Sequence, residues 1–210
     1  MVRGASSSRA SSAFGLDLVT CYSGYVNVRP FEFISGSLCL DLVDTLANRR
    51  AEPAERLLMP GDLDRWLDAA HLVCPLRERS TRVNLAHARA LREAIYRFGL
   101  AAVENRLPEP ADRKRINLWA ARMPLRPTID SGRITMTAAR PVEAALSTVA
   151  GDAVELILGQ QRSRIRICPD CCMMFVDTSR PGKRRWCSSA SGCGNRAKVR
   201  NHRSRITASA

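Results

Sequence analysis

The segment 168–196 reads CPDCCMMFVDTSRPGKRRWCSSASGCGNR and holds five of the eight cysteines in a chain of 210 residues. Two residues separate Cys168 from Cys171, fifteen lie between Cys171 and Cys187, and five lie between Cys187 and Cys193. Structural zinc takes four ligands in a tetrahedron, and two close cysteine pairs supply them because each pair is preorganised by its own turn. The spacing therefore predicts a zinc site formed by Cys168, Cys171, Cys187 and Cys193.

Other uses of these thiols are open at this point. A C-x-x-C thiol–disulfide motif is typical of a strand-to-helix turn in a βαβ unit and needs no second pair. A disulfide framework is typical of exported chains, and no apolar signal segment follows the Ser- and Ala-rich start. Zinc is the favoured interpretation. Cys172 could replace Cys171 as a ligand or lie beside the metal as a spare thiol.

The residues around the cysteines predict a small zinc finger. Met173–Val176 and Arg184–Trp186 are strand-like, and the turn residues 180–183 between them predict a hairpin. A helix is expected from Asn195 to about Ser204. A cysteine knuckle, a hairpin and a helix together form a treble-clef-like module. A segment this short cannot bury a large core, so metal binding would supply most of its folding energy.

Positive charge is concentrated in the same segment. The chain has 33 Lys and Arg against 20 Asp and Glu, a net charge of +13. From Gln160 to the end there are 12 basic residues and two acids, Asp170 and Asp177, so this quarter of the chain carries +10. The break in charge and in cysteine content predicts a domain boundary near residue 160. An uncompensated basic field on a rigid module suits contact with nucleic-acid phosphates.

Candidate nucleic-acid contacts lie at the predicted hairpin and along the last helix. They are Lys183, Arg184, Arg185, Asn195, Arg196, Lys198, Arg200 and Arg203. Asn195 and Arg196 at the helix start have side chains that can make bidentate contacts to base edges. The charge alone does not distinguish DNA from RNA, and a solvated basic face is the simpler alternative.

The chain before residue 160 has helical periodicity. One helix is expected to be capped by Ser37 and to close with Arg49 and Arg50, and Asp62 is expected to cap a second, short helix. Further expected elements are a helix over about 80–105, a helix opened by Pro110, a hairpin over 128–137 and a helix opened by Pro141. The predicted fold class is therefore mainly α: a helical domain with a small β-hairpin, followed by a treble-clef-like zinc finger. The expected domains are a flexible leader (1–29), a helical domain (30–159) and a zinc finger (160–207).

The helical part shows no catalytic set of side chains, and we do not expect an enzyme. Structural roles are expected for the lone histidines, the single cysteines and the tryptophans, and a solvated helix face for the two neighbouring aspartates: His71, His87, Cys39, Cys74, Trp66, Trp119, Asp41 and Asp44. No apolar run is long enough to span a membrane. A cytoplasmic, nucleoid-associated protein without membrane contact is expected.

Two known families resemble this chain over about residues 31–205. The tetrapeptide CGNR at 193–196, preceded by DTSR at 177–180 and RWCS at 185–188, is similar to the CGNR zinc finger, which is named for it. The part before the finger resembles the ABATE domain, a mainly helical unit usually found with that finger. The similar stretches are FISGSLCLDLVDTL at 33–46, DLDRWL at 62–67, ALREAI at 90–95 and INL at 116–118. Five residues rather than the usual four separate Cys187 from Cys193, and Asp44 lies where the family often has Asn.

The resemblance implies a bacterial, stress-responsive transcription regulator with zinc on Cys168, Cys171, Cys187 and Cys193 and with DNA as its partner. The helical domain would then sense an effector, form a homodimer or bind another partner. Combined with the charge and the cysteine spacing, this predicts a zinc-dependent DNA-binding regulator. The alternatives are a zinc/thiol redox switch and an RNA-binding zinc module.

Overall fold

The computed structural model of the protein describes residues 31–72, 78–190 and 192–208. The predicted leader at 1–29 and Cys74 lie outside the described residues. Six α-helices occur in these ranges: α1 Leu38–Val43, α2 Pro60–Ala69, α3 Arg82–Val103, α4 Pro110–Ala120, α5 Pro141–Leu158 and α6 Cys193–Ala208. Three antiparallel two-stranded ladders accompany them: β1 Leu46–Ala47 with β2 Ala54–Glu55, β3 Arg126–Asp130 with β4 Arg133–Thr137, and β5 Ile165–Ile167 with β6 Met174–Val176. A short 3-10 helix, Gln160–Arg164, joins α5 to β5.

The core lies among α1, α3, α4 and α5, which pack on one another. α3 begins with a reciprocal cap, because the Asn84 amide N–H donates to Thr81 Oγ1 (3.2 Å) and the Thr81 N–H donates to Asn84 Oδ1 (2.8 Å). Trp66 and Trp119 are buried, as predicted for core residues. The predicted helices at 80–105, Pro110 and Pro141 are confirmed, with ends shifted by a few residues.

The predicted hairpin at 128–137 is confirmed as β3 and β4, with Ser131 and Gly132 in its turn. Both turn residues have positive φ, 47° and 75°, which a tight two-residue hairpin turn requires. Ile129 pairs directly with Ile134. Both of these side chains are exposed, so the hairpin extends beyond the helical core.

The first helix is shorter than expected, since α1 ends at Val43 and the prediction that it closes with Arg49 and Arg50 is wrong. Thr45 Oγ1 donates to the Leu42 carbonyl (2.6 Å), which would otherwise bond the next helical turn. The chain then forms β1, and the Arg49 guanidinium forms an ion pair with Glu93 (2.8 Å).

The positions of three aspartates were wrongly predicted from the sequence. Asp41 and Asp44 are buried rather than on a solvated face, because α1 is covered on several sides. Asp41 accepts a hydrogen bond from the Ser35 N–H (3.1 Å), and Asp44 pairs with Arg56 Nη1 (3.3 Å). Asp62 does not cap α2 as predicted, since the helix begins at Pro60. Its carboxylate instead reaches back to the N–H groups of Leu58 and Met59 from the first turn.

The hairpin near the cysteines also differs from the prediction. β6 pairs with β5 and not with Arg184–Trp186, in the register Ile165 to Val176 and Ile167 to Met174. The Arg184 N–H donates to the Asp177 carboxylate (2.9 Å), which holds that segment outside the ladder. The pair Cys168 and Cys171 therefore lies in the turn of the observed hairpin.

The predicted last helix is present and longer than expected, because α6 begins at Cys193 itself. The fold class is confirmed: mainly α, with small hairpins and a C-terminal cysteine module of knuckle and helix. The division into 30–159 and 160–207 stays a prediction. None of the helices described has both the length and the apolar character to cross a membrane.

Candidate metal centre and nucleic-acid interface

Three pieces of chain bring the four predicted ligands together. Cys168 and Cys171 come from the β5–β6 turn, Cys187 from the loop that follows, and Cys193 from the first position of α6. Their sulfur atoms all lie within 4.8 Å of one another, and all four residues are buried. Within the described ranges, these four cysteines are close enough together to bind a single metal ion.

The donor set fits a tetrahedral zinc ion. With Zn–S bonds of about 2.3 Å, the edges of the sulfur tetrahedron would be about 3.8 Å. The Cys171 and Cys187 sulfurs lie 3.5 Å apart. The two sulfurs are within hydrogen-bond distance, and this contact lowers the pKa of Cys187 to about 4 and raises the pKa of Cys171. A divalent cation bound by the four sulfurs would replace their thiol protons, since thiolates are the form that binds metal.

Cys172 lies outside the group of four sulfurs although it follows Cys171 directly. Its backbone has a φ of 60° and its N–H donates to the Cys168 carbonyl (3.0 Å), so it closes the knuckle turn. The left-handed backbone conformation separates the directions of the two neighbouring side chains. Of the two alternatives left open by the sequence, the geometry places Cys171 with the other ligands.

Polar contacts support the cysteine cluster from outside. Ser189 Oγ lies 3.1 Å from the Cys187 sulfur, and Arg196 donates to the Cys193 sulfur (3.2 Å). Asp170 in the knuckle accepts from Arg196 (3.5 Å) and from Arg200 (2.5 Å), which fixes α6 to the knuckle. Such partners orient the ligands and stabilise their charge. From the sequence, Asp170 is only one of the two acids after residue 160. Its ion pairs with α6 were not predicted, because they form only in the folded module.

Strand β6 is shared between two clusters of buried side chains. Met174 and Val176 belong to the core of the helices, whereas Phe175 faces the cysteines together with the neighbouring Met173. Side chains alternate across a strand, so a run of four apolar residues predicts burial on both faces. That signal was present in the sequence at 173–176.

The chain just before α1 also reaches the cysteine module, which the sequence did not indicate. The Val176 N–H donates to the Ser35 carbonyl (2.7 Å), so this segment runs beside β6. Glu32 accepts from the N–H of Ala190, between the last two cysteines (2.8 Å). Ile34 packs against the cysteine cluster. Residues 32–35 therefore link the helical part to the module.

The eight predicted nucleic-acid contacts fall on two surfaces, the loop 183–185 and α6. Exposed side chains belong to Lys183, Arg185, Asn195, Lys198 and Arg203, and also to Arg196 and Arg200, which pair with Asp170. Arg184 is half-buried, with its guanidinium over the Phe175 ring at 4.5 Å and hydrogen-bonded to the Trp186 carbonyl (3.0 Å). Arg184, Arg196 and Arg200 thus hold the module together as well as adding charge.

Comparisons with known families agree with this architecture. The ABATE model, described as "Putative stress-induced transcription regulator", matches residues 36–160. The CGNR zinc finger model matches residues 164–206. Neither description is that of an enzyme. A search of curated proteins gives no significant match.

Proposed function

Because the chain belongs to the ABATE family and ends in a CGNR zinc finger, we propose that it is a stress-responsive, zinc-dependent DNA-binding transcription regulator. The observation that carries the proposal is the position of the cysteine cluster. Four buried sulfurs within 4.8 Å of one another lie in the same 51 residues that carry +10 of the net charge.

In this proposal, zinc supplies the folding energy of the module by binding Cys168, Cys171, Cys187 and Cys193. The cluster brings together a turn, a loop and a helix end that share few apolar contacts. The loop 183–185 and α6 thereby become one rigid basic surface. A rigid surface loses less conformational freedom on binding than a disordered basic tail would, which strengthens its contact with DNA.

The DNA contacts proposed are the same eight residues, with two roles. Lys183, Arg185, Lys198 and Arg203 have exposed charged ends and would contact phosphates. Asn195 is exposed on the first turn of α6, where an amide can contact a base edge. The remaining three, Arg184, Arg196 and Arg200, would stabilise the folded module and add to its positive electrostatic potential.

The helical part is proposed to sense a signal or to form a dimer in the cytoplasm, close to the nucleoid. It contacts the module through β6 and through residues 32–35. A change in the packing of α1 or α3 would therefore reach the cysteine module directly. This provides a physical route from an effector to the DNA-binding surface.

The proposal is tested by sequencing nucleic acid crosslinked to the tagged chain in cells. The variant Cys187→Ser removes a proposed zinc ligand, and Cys172→Ser is the matched control in the same module. We expect discrete duplex DNA sites for the original chain and for Cys172→Ser, and their loss for Cys187→Ser. Recovery of RNA in place of DNA, or the same sites with Cys187→Ser, would contradict the proposal.

A further inference from the structure

A cleft of about 270 Å³ opens between β5 and the loop that follows the Arg180–Lys183 turn. Its lining residues are Arg166, Ile167, Pro169, Lys183, Arg184 and Arg185. Four of these six carry a positive charge. Arg166 was not among the nucleic-acid contacts expected from the sequence. It precedes Cys168, and only the fold places it beside the loop 183–185.

Arg166 is held in the cleft by backbone carbonyl groups. Its Nη1 donates to Ser163 (2.7 Å) and Ile165 (2.9 Å), and its Nη2 donates to Gly182 (3.2 Å). A guanidinium has five N–H donors, and three are used by these bonds, so about two are left for a ligand. Carbonyl groups are neutral partners, so the bonds orient the guanidinium without cancelling its charge.

Two of the other three cations of the cleft, Arg184 and Arg185, also contact neutral groups. Arg184 donates to the Trp186 carbonyl and to Ser188 Oγ (2.7 Å), and Arg185 lies over the Trp186 ring at 5.0 Å. In the described part of the chain, none of the four cleft cations has a carboxylate within salt-bridge distance, whereas Arg196 and Arg200 on α6 both pair with Asp170. Direct ion pairs therefore offset charge on the first turns of α6 but not at the cleft, where Asp177 attracts Arg166 only from beyond ion-pair distance.

The acidic residue at the base of this loop is occupied by the backbone. Asp177 is buried, and its carboxylate accepts from the N–H groups of Ser179 and Arg184, both at 2.9 Å. These bonds shape the loop that presents Lys183 and Arg185. The Asp177 carboxylate therefore binds the loop backbone and stabilises the conformation of the loop that lines the cleft.

We propose that this cleft holds a backbone phosphate of the bound nucleic acid, contacted by Arg166, Lys183 and Arg185. The inference rests on the proposed function and assigns its main electrostatic contact to the cleft in place of α6. An oriented guanidinium and two nearby cations suit a phosphate, because charge-assisted and bidentate hydrogen bonds to phosphate are strong. The cleft would fix the position of the module on the nucleic-acid backbone, and α6 would add sequence-dependent contacts.

The test compares two double variants of the zinc-loaded full chain. Lys183→Gln with Arg185→Gln removes two cleft charges, and Lys198→Gln with Arg203→Gln removes the same residue types from α6. Affinity for duplex DNA is measured by fluorescence anisotropy over a series of salt concentrations. Each phosphate contact contributes a slope of about −0.9 in log affinity against log salt, which is about eightfold in affinity at about 0.1 M salt relative to about 1 M salt.

We expect the cleft variant to lose at least about eightfold in affinity at 0.1 M salt and to lower the salt slope by about one or more. The α6 variant should change both quantities less. Equal losses in the two variants, or a larger loss from α6, would overturn the assignment to the cleft and leave DNA binding intact. Absence of binding by the original zinc-loaded chain would instead overturn the proposed function together with the cleft.

Arg166→Gln is a separate variant because Arg166 also bonds the loop backbone. Its melting temperature and zinc content are measured beside its affinity. A reduced salt slope with unchanged zinc content supports the phosphate contact. An unchanged salt slope would remove Arg166 from the contact.

Discussion

The helical part and the cysteine module differ in what they bury. The helical core is built from aliphatic and aromatic side chains along α1, α3, α4 and α5. The cluster of the module has six buried residues, of which four are cysteines. Apolar burial of the first kind stabilises a fold without help, whereas four buried thiols supply little and call for a metal. If zinc binds as proposed, the two regions draw their folding energy from different sources.

The two regions nevertheless pack on opposite faces of the same strand, β6. β6 sends Met174 and Val176 into the helical core and Phe175 towards the cysteines. The charge changes sharply near residue 160, but the packing does not separate there. A module that depends on metal, as proposed, should therefore also destabilise the helices when the metal is removed, because both regions pack on β6.

The largest effect is expected from removing the proposed metal. Cys168→Ser, or a strong chelator, should abolish zinc binding and unfold the module, since apparent zinc affinities in finger peptides are about 10–16 kcal/mol. The melting temperature of the helical part should fall too, because β6 loses its support. Metal analysis and a thermal melt followed by circular dichroism measure both.

Cys172→Ser is the control for this experiment, because Cys172 lies outside the sulfur cluster. It should keep one zinc per chain and the original melting temperature. A metal-free chain that melts like the zinc-loaded one would show that the module does not depend on metal.

The second effect separates the helical core from the module. Leu146→Ala creates a cavity at a fully buried position of α5 and should cost about 2–5 kcal/mol of unfolding free energy. Zinc content should stay unchanged, because Leu146 does not contact the cysteines. Urea denaturation and metal analysis test this. Leu118→Ala, at a position 60% exposed on α4, should change stability by less than about 0.5 kcal/mol.

A third, smaller effect concerns the ion pairs of the helical part. Arg92 is buried and binds Glu55 (2.7 Å) and Glu93 (2.8 Å). Arg92→Met removes the guanidinium from both carboxylates. The cost should be below the value of about 3–5 kcal/mol for a fully buried pair, because Arg89 and Arg49 each still pair with one of these carboxylates. Arg140→Met breaks an exposed pair with Glu143 and should cost less than about 1 kcal/mol. Similar urea midpoints for the two variants would contradict this difference.

The smallest effect is the acid sensitivity of the same ion pairs. Burial raises the pKa values of Glu55 and Glu93, but hydrogen bonds and charge from Arg92 and Arg49 outweigh burial and hold both pKa values below 4.5. The unfolded chain then binds protons first, so this stabilisation is complete above about pH 4.5 and is lost as the pH falls through the folded values. Urea midpoints between pH 3 and pH 6 should fall less steeply for Glu55→Gln than for the original chain. An identical slope would contradict the assignment.

Local signals allowed much of this structure to be predicted from sequence. The spacing of the four cysteines, the periodicity of α3 and α5 and the turn of the β3–β4 hairpin each lie within a short stretch of chain. The elements that were missed depend on distant partners. Asp44 is buried beside its ion-pair partner Arg56, and β6 pairs with Ile165–Ile167 while the Arg184 N–H bonds to Asp177.

Zinc-dependent DNA binding is the central claim, and reversible metal removal tests it most directly. Affinity for duplex DNA is measured on the zinc-loaded chain, after chelation, and after one equivalent of zinc is returned. We expect tight, salt-sensitive binding that is lost on chelation and recovered with zinc. Undiminished affinity in the metal-free chain would contradict it.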